Sequence, residues 1–447
     1  MFSTGGLRID QAPPLSLPFR FFVTAPFFLL LTALSLLFYG PDLFVTPLAP
    51  ETIATVHLVV LGWVCMIMFG AMYQMIPVLA GIPVPWPRWV PWVHGLLVTG
   101  VVAMVFGLTT GFHPWVLSLA SLSLGGAVFL FIVPVLTALI WAPSRHPTVI
   151  AMRIATVSLL GVLLLGSGFL LEYAFGFLDL DRSALVTTHL IWGLWGWVGL
   201  LIAGVSFQVL PMFYMTRDIS RRQSLLILSA WSLFLVGQPL ALFFAHSNPW
   251  IFWLPVAFFS LALLGYTANI GSMLWERKRK KMDVTLRFWF LGLASGLASL
   301  ATMASWMATD ADSTRFLFGV LFFFGLASSI LLGMLYKIIP FLVWFHRFSR
   351  LAGLVEIPMM DDLVPDFSLR WQFPVHFLVV ATAIVAVFWG GWPPVTQLLA
   401  FFLAADAALV LYTLWFALGH QPPQQESIPD FASFFKDTAW MAEPKDP

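Results

Sequence analysis

The chain has 447 residues, 60% of them hydrophobic and 10% charged, with a mean hydropathy of +0.92. A soluble domain carries about a quarter charged residues, so this composition excludes one and points to a membrane protein. The formal charge of +1 excludes the basic surface that nucleic acid requires, and the single Cys65 excludes an internal disulfide or a multi-cysteine metal site.

Residues 1–17, with Arg8, Asp10 and Pro13-Pro14, lack the basic region, short apolar run and cleavage site of a secretory signal. They are expected to form a cytoplasmic N-terminal segment. Twelve apolar runs follow, each long enough to span a bilayer: about 18–40, 53–80, 89–110, 115–142, 149–176, 185–214, 223–245, 249–275, 284–308, 314–343, 373–391 and 395–418. They are apolar on all sides and do not alternate, so helices, not barrel strands, satisfy their backbone groups in lipid. An all-α membrane bundle at 18–418 is therefore expected, with a cytoplasmic tail at 419–447.

Lys and Arg gather in every second connection: Arg88; Arg145; Arg217 with Arg221-Arg222; Arg277-Lys278-Arg279-Lys280-Lys281; Arg347 with Arg350. The opposite connections hold Arg182 and Arg315 beside Asp42, Asp179, Asp310 and Asp312. Positive-inside bias then puts both termini in the cytoplasm, in agreement with an even number of spans. The loop at 344–372, with Glu356, Asp361, Asp362 and Asp366, falls on the same side, and Phe431, Phe434-Phe435 and Trp440 of the tail are candidates for docking there.

One pattern occurs three times: Gly70-x-x-Tyr73-Gln74-x-x-Pro77, Gly204-x-x-Phe207-Gln208-x-x-Pro211 and Gly333-x-x-Tyr336-Lys337-x-x-Pro340. The spacings, 204 − 70 = 134 and 333 − 204 = 129, each hold four spans. Three pseudo-threefold-related four-helix units are expected, at about 18–142, 149–275 and 284–418. Gly permits close helix approach, Pro ends or kinks a helix, and Gln74, Gln208 and Lys337 suit either the interface or a polar entry path.

Nine histidines are present. His94, His146, His346, His376 and His420 fall at or beyond the basic ends of spans, where solvation explains them, and His113 and His246 fall in outer loops. His57 and His189 differ: each lies about one turn inside the outer end of a motif-bearing span. Imidazole in an apolar span is costly and usually functional, and it is the commonest metal ligand. Both are candidate metal or cofactor ligands. His57 precedes Gln74 by 74 − 57 = 17 residues and His189 precedes Gln208 by 208 − 189 = 19. Two residues of offset is ~200° of rotation, so the rings either face one another or diverge into separate pockets.

Twelve spans in three groups, with histidines in the outer halves of spans 2 and 6, resemble subunit I of the haem-copper oxidases and nitric oxide reductases. The segment Ala54–Gly81, with His57, Gly62, Phe69-Gly70 and Pro77, is similar to that family's second helix, whose histidine holds the low-spin haem. The entry Pro18-Phe19-Arg20-Phe21-Phe22 also resembles the NnrS-like haem- and copper-containing membrane proteins linked to nitric oxide metabolism. The resemblance implies a b-type haem, with copper as a second candidate, an electron donor or partner subunit, and a bacterial inner membrane. The departures are specific. Span 7 has no histidine pair for copper, and span 10 offers Phe316, Phe318 and Phe322-Phe323-Phe324 where the family carries His-x-His. Haem-copper oxygen reduction is therefore not expected, and His57 lacks the family's opposite ligand; Met66, Met68 and Met72 are soft substitutes, more commonly core filler.

Other polar groups within the spans are few. Asp406, mid-span 12 among alanines, Lys337 and Glu172, beside Tyr173 near the outer end of span 5, are candidates for a proton or ion pathway. Three readings follow: a haem protein in electron transfer or nitric oxide handling, a transporter using Asp406, and a cofactor-free assembly subunit. Two related halves are the usual transporter signature, which three repeats do not match.

Overall fold

The structure, a computed structural model, describes residues 13–176, 182–244, 248–278, 280 and 282–422. Asp10, Asp179, His246, Arg279, Lys281 and the tail from 423 onward, with its aromatic residues, lie outside the described residues. The protein is an all-α integral membrane protein. Among the described residues, twelve helices are long and apolar enough to cross a bilayer: span 1 Ser16–Phe44, span 2 Pro50–Ala80, span 3 Pro87–Thr109, span 4 Pro114–Trp141, span 5 Pro147–Phe175, span 6 Arg182–Tyr214, span 7 Arg221–Phe244, span 8 Trp250–Trp275, span 9 Val284–Thr309, span 10 Asp312–Arg347, span 11 Asp366–Trp389 and span 12 Pro393–Gly419. Among the described residues there is no strand, only an isolated bridge between Ala352 and Val355.

Nine helices form a closed ring in the order 1, 3, 4, 5, 7, 8, 9, 11, 12, each packed on the next, with span 12 returning to span 1. Spans 2, 6 and 10 stand inside it. In these three, 72%, 78% and 72% of the apolar stretch is buried, against at most 50% in any ring helix. They meet one another: Trp63 of span 2 donates its indole N–H to Ser328 Oγ of span 10 at 3.0 Å, and Phe69 of span 2 lies edge-on to Trp197 of span 6.

The repeated glycines explain how the inner spans seat. A Cβ at Gly204 would lie 2.1 Å from Ala151 Cβ of span 5; Gly70 meets Phe21 and Phe22 of span 1, and Gly333 meets Phe288 of span 9. Eight residues earlier on each inner span stands another glycine, Gly62, Gly196 or Gly325, pressed on Phe28, Ser158 or Ser295 of the same three ring helices. Small residues let backbones approach where lipid supplies no hydrophobic drive to associate.

Each inner span also carries a wide-turn π segment: Leu58–Cys65, Ile191–Gly199 and Leu321–Ser328. Such segments occur mostly at functional sites. The motif prolines do not end their helices. Helix continues past Pro77, Pro211 and Pro340 to Ala80, Tyr214 and Arg347, because surrounding helices re-satisfy backbone groups freed by proline. The loop after span 10 is tied down, with Trp344 Nε1 donating to the Pro358 carbonyl at 2.9 Å and Arg347 donating to Leu418 O at 2.7 Å.

Span 11 begins at Asp366, seven residues before the 373 expected from hydropathy (373 − 366 = 7). Polar residues at its start hid those turns. The shift carries His376 off the interface and into the interior, where it is fully buried.

Candidate functional site

His57 and His189 face one another across the contact of spans 2 and 6. Their ring centroids are 6.4 Å apart and the planes are inclined by 35°. His57 ends the α-helical part of span 2, directly before the first π segment. Its Nδ1 lies 2.7 Å from the Ile53 carbonyl. A carbonyl only accepts, so Nδ1 carries the hydrogen and Nε2 keeps the lone pair. His189 holds the matching place before the second π segment. Its ring stands edge-on to Phe169 at 5.7 Å. Gly166 of span 5 makes room for it, since a Cβ there would lie 3.2 Å from His189 Cε1. His189 Nδ1 is buried with no hydrogen bond of ordinary geometry, and the Val162 carbonyl faces the ring.

The separation has a chemical meaning. With metal–nitrogen bonds of ~2.0–2.1 Å, two imidazoles at this separation are close enough together to hold one metal-containing group. Among the described residues there is no group of three or more His, Cys, Asp or Glu able to hold a metal ion. Two imidazoles suit a cofactor that brings its own equatorial ligands, as haem does, better than a bare copper ion, which needs more protein nitrogens. His189 Nδ1, lacking an ordinary hydrogen bond, fits the same role, because a buried polar atom left unpaired otherwise costs ~1–3 kcal/mol. Met66, Met68 and Met72 are buried packing residues of span 2.

A second polar cluster lies in spans 10, 11 and 12. His376 Nδ1 is 2.9 Å from Asp406 Oδ2. His376 Nε2 is 3.0 Å from the Phe324 carbonyl, within the third π segment, and 3.1 Å from Ser329 Oγ. Gln372 Nε2 donates to Asp406 Oδ1 at 2.5 Å, and the Tyr336 hydroxyl donates to Gln372 Oε1 at 2.8 Å. Asp406 is 1% exposed. Asp406 was legible as a candidate, whereas His376 and Gln372 were missed. Their signal was the spacing 372, 376, which puts two polar side chains on one helical face.

The remaining candidates lie elsewhere. Lys337 Nζ pairs with Asp283 Oδ2 at 2.8 Å. Asp283 also caps span 9 through Leu286 N and accepts from the Tyr214 hydroxyl, so Lys337 clamps the ends of spans 6, 9 and 10 together. Glu172 sits in the last turn of span 5, whose Tyr173 stacks on Phe112 and takes Arg182 over its ring. Gln74 and Gln208 leave their Oε1 atoms buried without a hydrogen-bond partner, and no hydrogen bond joins them. Gln238 of span 7, fully buried with both amide atoms unpaired, is a further polar residue the sequence reading passed over. No protein-family model matches the chain, and no curated protein does.

Proposed function

We propose that this chain is a haem-binding inner-membrane protein of oxidase-subunit-I-like architecture, in which His57 and His189 would hold the haem, acting in electron transfer or nitric oxide handling. The observation that carries the reading is the facing imidazole pair at 6.4 Å, with one ring nitrogen lacking a hydrogen bond of ordinary geometry. Equivalent glycine contacts and π segments in spans 2, 6 and 10 support a three-unit bundle. The Arg- and Lys-rich end, where the motifs lie, is assigned to the cytoplasm by positive-inside bias.

Bound haem would supply one-electron chemistry. The chain's own residues do the rest. The Ile53 carbonyl fixes the His57 tautomer and raises the basicity of Nε2, as outer partners of ligating histidines do. Phe169 of span 5 stands edge-on to the His189 ring, and an apolar neighbour of this kind shifts a redox potential. The transporter reading rests on Asp406, which is committed to internal hydrogen bonds.

The test is spectroscopic. Purified full-length protein should show a Soret band and the resonance signature of a six-coordinate low-spin haem. His57→Ala and His189→Ala should each lose most of the haem while remaining folded. Unchanged haem per protein in both variants overturns the assignment.

A further inference from the structure

Asp406 and His376 are buried, ionisable and unused by the histidine-pair reading. The Phe324 carbonyl, 3.0 Å from His376 Nε2, also receives the Ser329 hydroxyl at 3.2 Å. A carbonyl facing a bare ring lone pair at that distance would be repulsive, so Nε2 carries hydrogen. Nδ1 then either accepts from a protonated Asp406 or carries a second hydrogen and donates to the carboxylate. Both arrangements hold one proton between Nδ1 and Oδ2 and leave the pair neutral. An uncompensated charge here would be costly, since taking a single ion out of water costs several kcal/mol.

Buried polar groups continue from the cluster in one direction. From Asp406 hydrogen bonds run through Gln372 to Tyr336, and Ser368 Oγ, buried in the first turn of span 11 with no hydrogen bond of its own, lies beside the Tyr336 hydroxyl. Thr413 Oγ1 of span 12 lies 3.2 Å from the same hydroxyl. One residue beyond Tyr336, the partly exposed Lys337–Asp283 pair marks the basic end. In the other direction the way is apolar: Phe288 of span 9 lies 5.5 Å from the His376 ring, and Phe322, Phe323 and Leu326 are buried beyond Phe324. Span 9 thus presents no ionisable group to the pair, and span 10 presents Tyr336.

We propose that Asp406 and His376 form a one-proton store inside the bilayer, loaded and unloaded from the basic end of the bundle along the Gln372–Tyr336–Ser368 seam. Loading adds one proton between Asp406 Oδ2 and His376 Nδ1, converting a carboxylate and a neutral imidazole into the neutral pair. Unloading returns that proton to water at the basic end. No electrons move; unloading gives up the Nδ1···Oδ2 hydrogen bond and leaves Gln372 Nε2 as the donor to the carboxylate.

The test uses the full chain in lipid nanodiscs and needs no cofactor, so its failure is separate from failure of the haem reading. Infrared difference spectra between acidic and alkaline buffer should contain a carboxyl band that shifts in D2O and disappears in Asp406→Asn. After a switch from H2O to D2O, Tyr336→Phe and Gln372→Leu should delay that shift about tenfold, as an added barrier of ~1.4 kcal/mol would. Tyr336→Phe leaves every hydrogen bond of Asp406 in place and stays informative if Asp406→Asn does not fold. Absence of any such band in the wild type, or exchange in both seam variants as fast as in the wild type, overturns the proposal.

Discussion

At the residue scale, what a side chain does here follows from which of its polar atoms have partners. His146, in the connection before span 5, is a worked case. Its Nδ1 accepts from the Thr148 backbone N–H at 3.2 Å and so caps the helix, a role open only to the neutral ring. Burial pushes the His146 pKa below the ordinary 6.5, partly opposed by Asp218. For a base lowered on folding, the unfolded chain takes up protons first. The contribution of His146 is therefore complete above about pH 6.5 and is lost as pH falls from there through the lowered folded value. Thermal melts in detergent should show stability declining over that window. The decline should be smaller in His146→Asn, which caps without titrating; identical pH profiles would show that the cap does not matter. The same atom-level reading explains what was legible in the sequence. His57 and His189 stood out because imidazole is rare in apolar spans, while the choice between facing and diverging rings needed coordinates. His376 was hidden because span 11 starts in polar residues that hydropathy assigns to the loop.

At the element scale, the three inner helices are specified by small residues where they touch the ring. The motif glycines announced this by their equal spacing, whereas the π segments did not, because a wide turn leaves no compositional mark in uniformly apolar helix. Gly204 is the tightest contact, with Ala151 of span 5 directly opposite. A side chain there must push spans 5 and 6 apart, and forcing extra carbon into a packed core costs ~1–3 kcal/mol. Gly204→Ala should lower the melting temperature of the detergent-solubilised protein and Gly204→Leu should lower it further. The same changes at Gly168, which has open space at its Cβ position, should leave it nearly unchanged. Equal effects at the two sites would remove close packing as the reason for the motif. A separation of spans 5 and 6 would also move His189, whose ring sits against Gly166 of span 5, so under the proposed haem reading any bound haem should fall with stability in the Gly204 variants.

At the scale of the whole molecule, a ring of nine helices around three buried ones holds two polar clusters, one partly buried between spans 2 and 6 and one buried among spans 10, 11 and 12. Oxygen reduction by a haem-copper centre requires a metal pair holding both ends of the bound gas, and copper requires several nitrogen ligands. On span 10 the relevant positions are aromatic. Phe318 and Phe322 lie 6.4 Å and 4.8 Å from the Trp195 ring, and Phe318 stacks on Trp306 at 5.9 Å. These rings occupy the space beside the second π segment, and span 7 contributes Gln238, with no histidine over Arg221–Phe244. His113 falls in the short turn between spans 3 and 4, and loops hold ligands less rigidly than helices do. Haem-loaded protein supplied with an artificial electron donor should therefore not consume oxygen in a sustained, cyanide-sensitive way, although it should be reduced by that donor. Sustained turnover in an oxygen electrode would mean that the aromatic packing of spans 6 and 10 rearranges to admit a second metal. In that case Phe318→Ala should change the rate, and His57→Ala should abolish it.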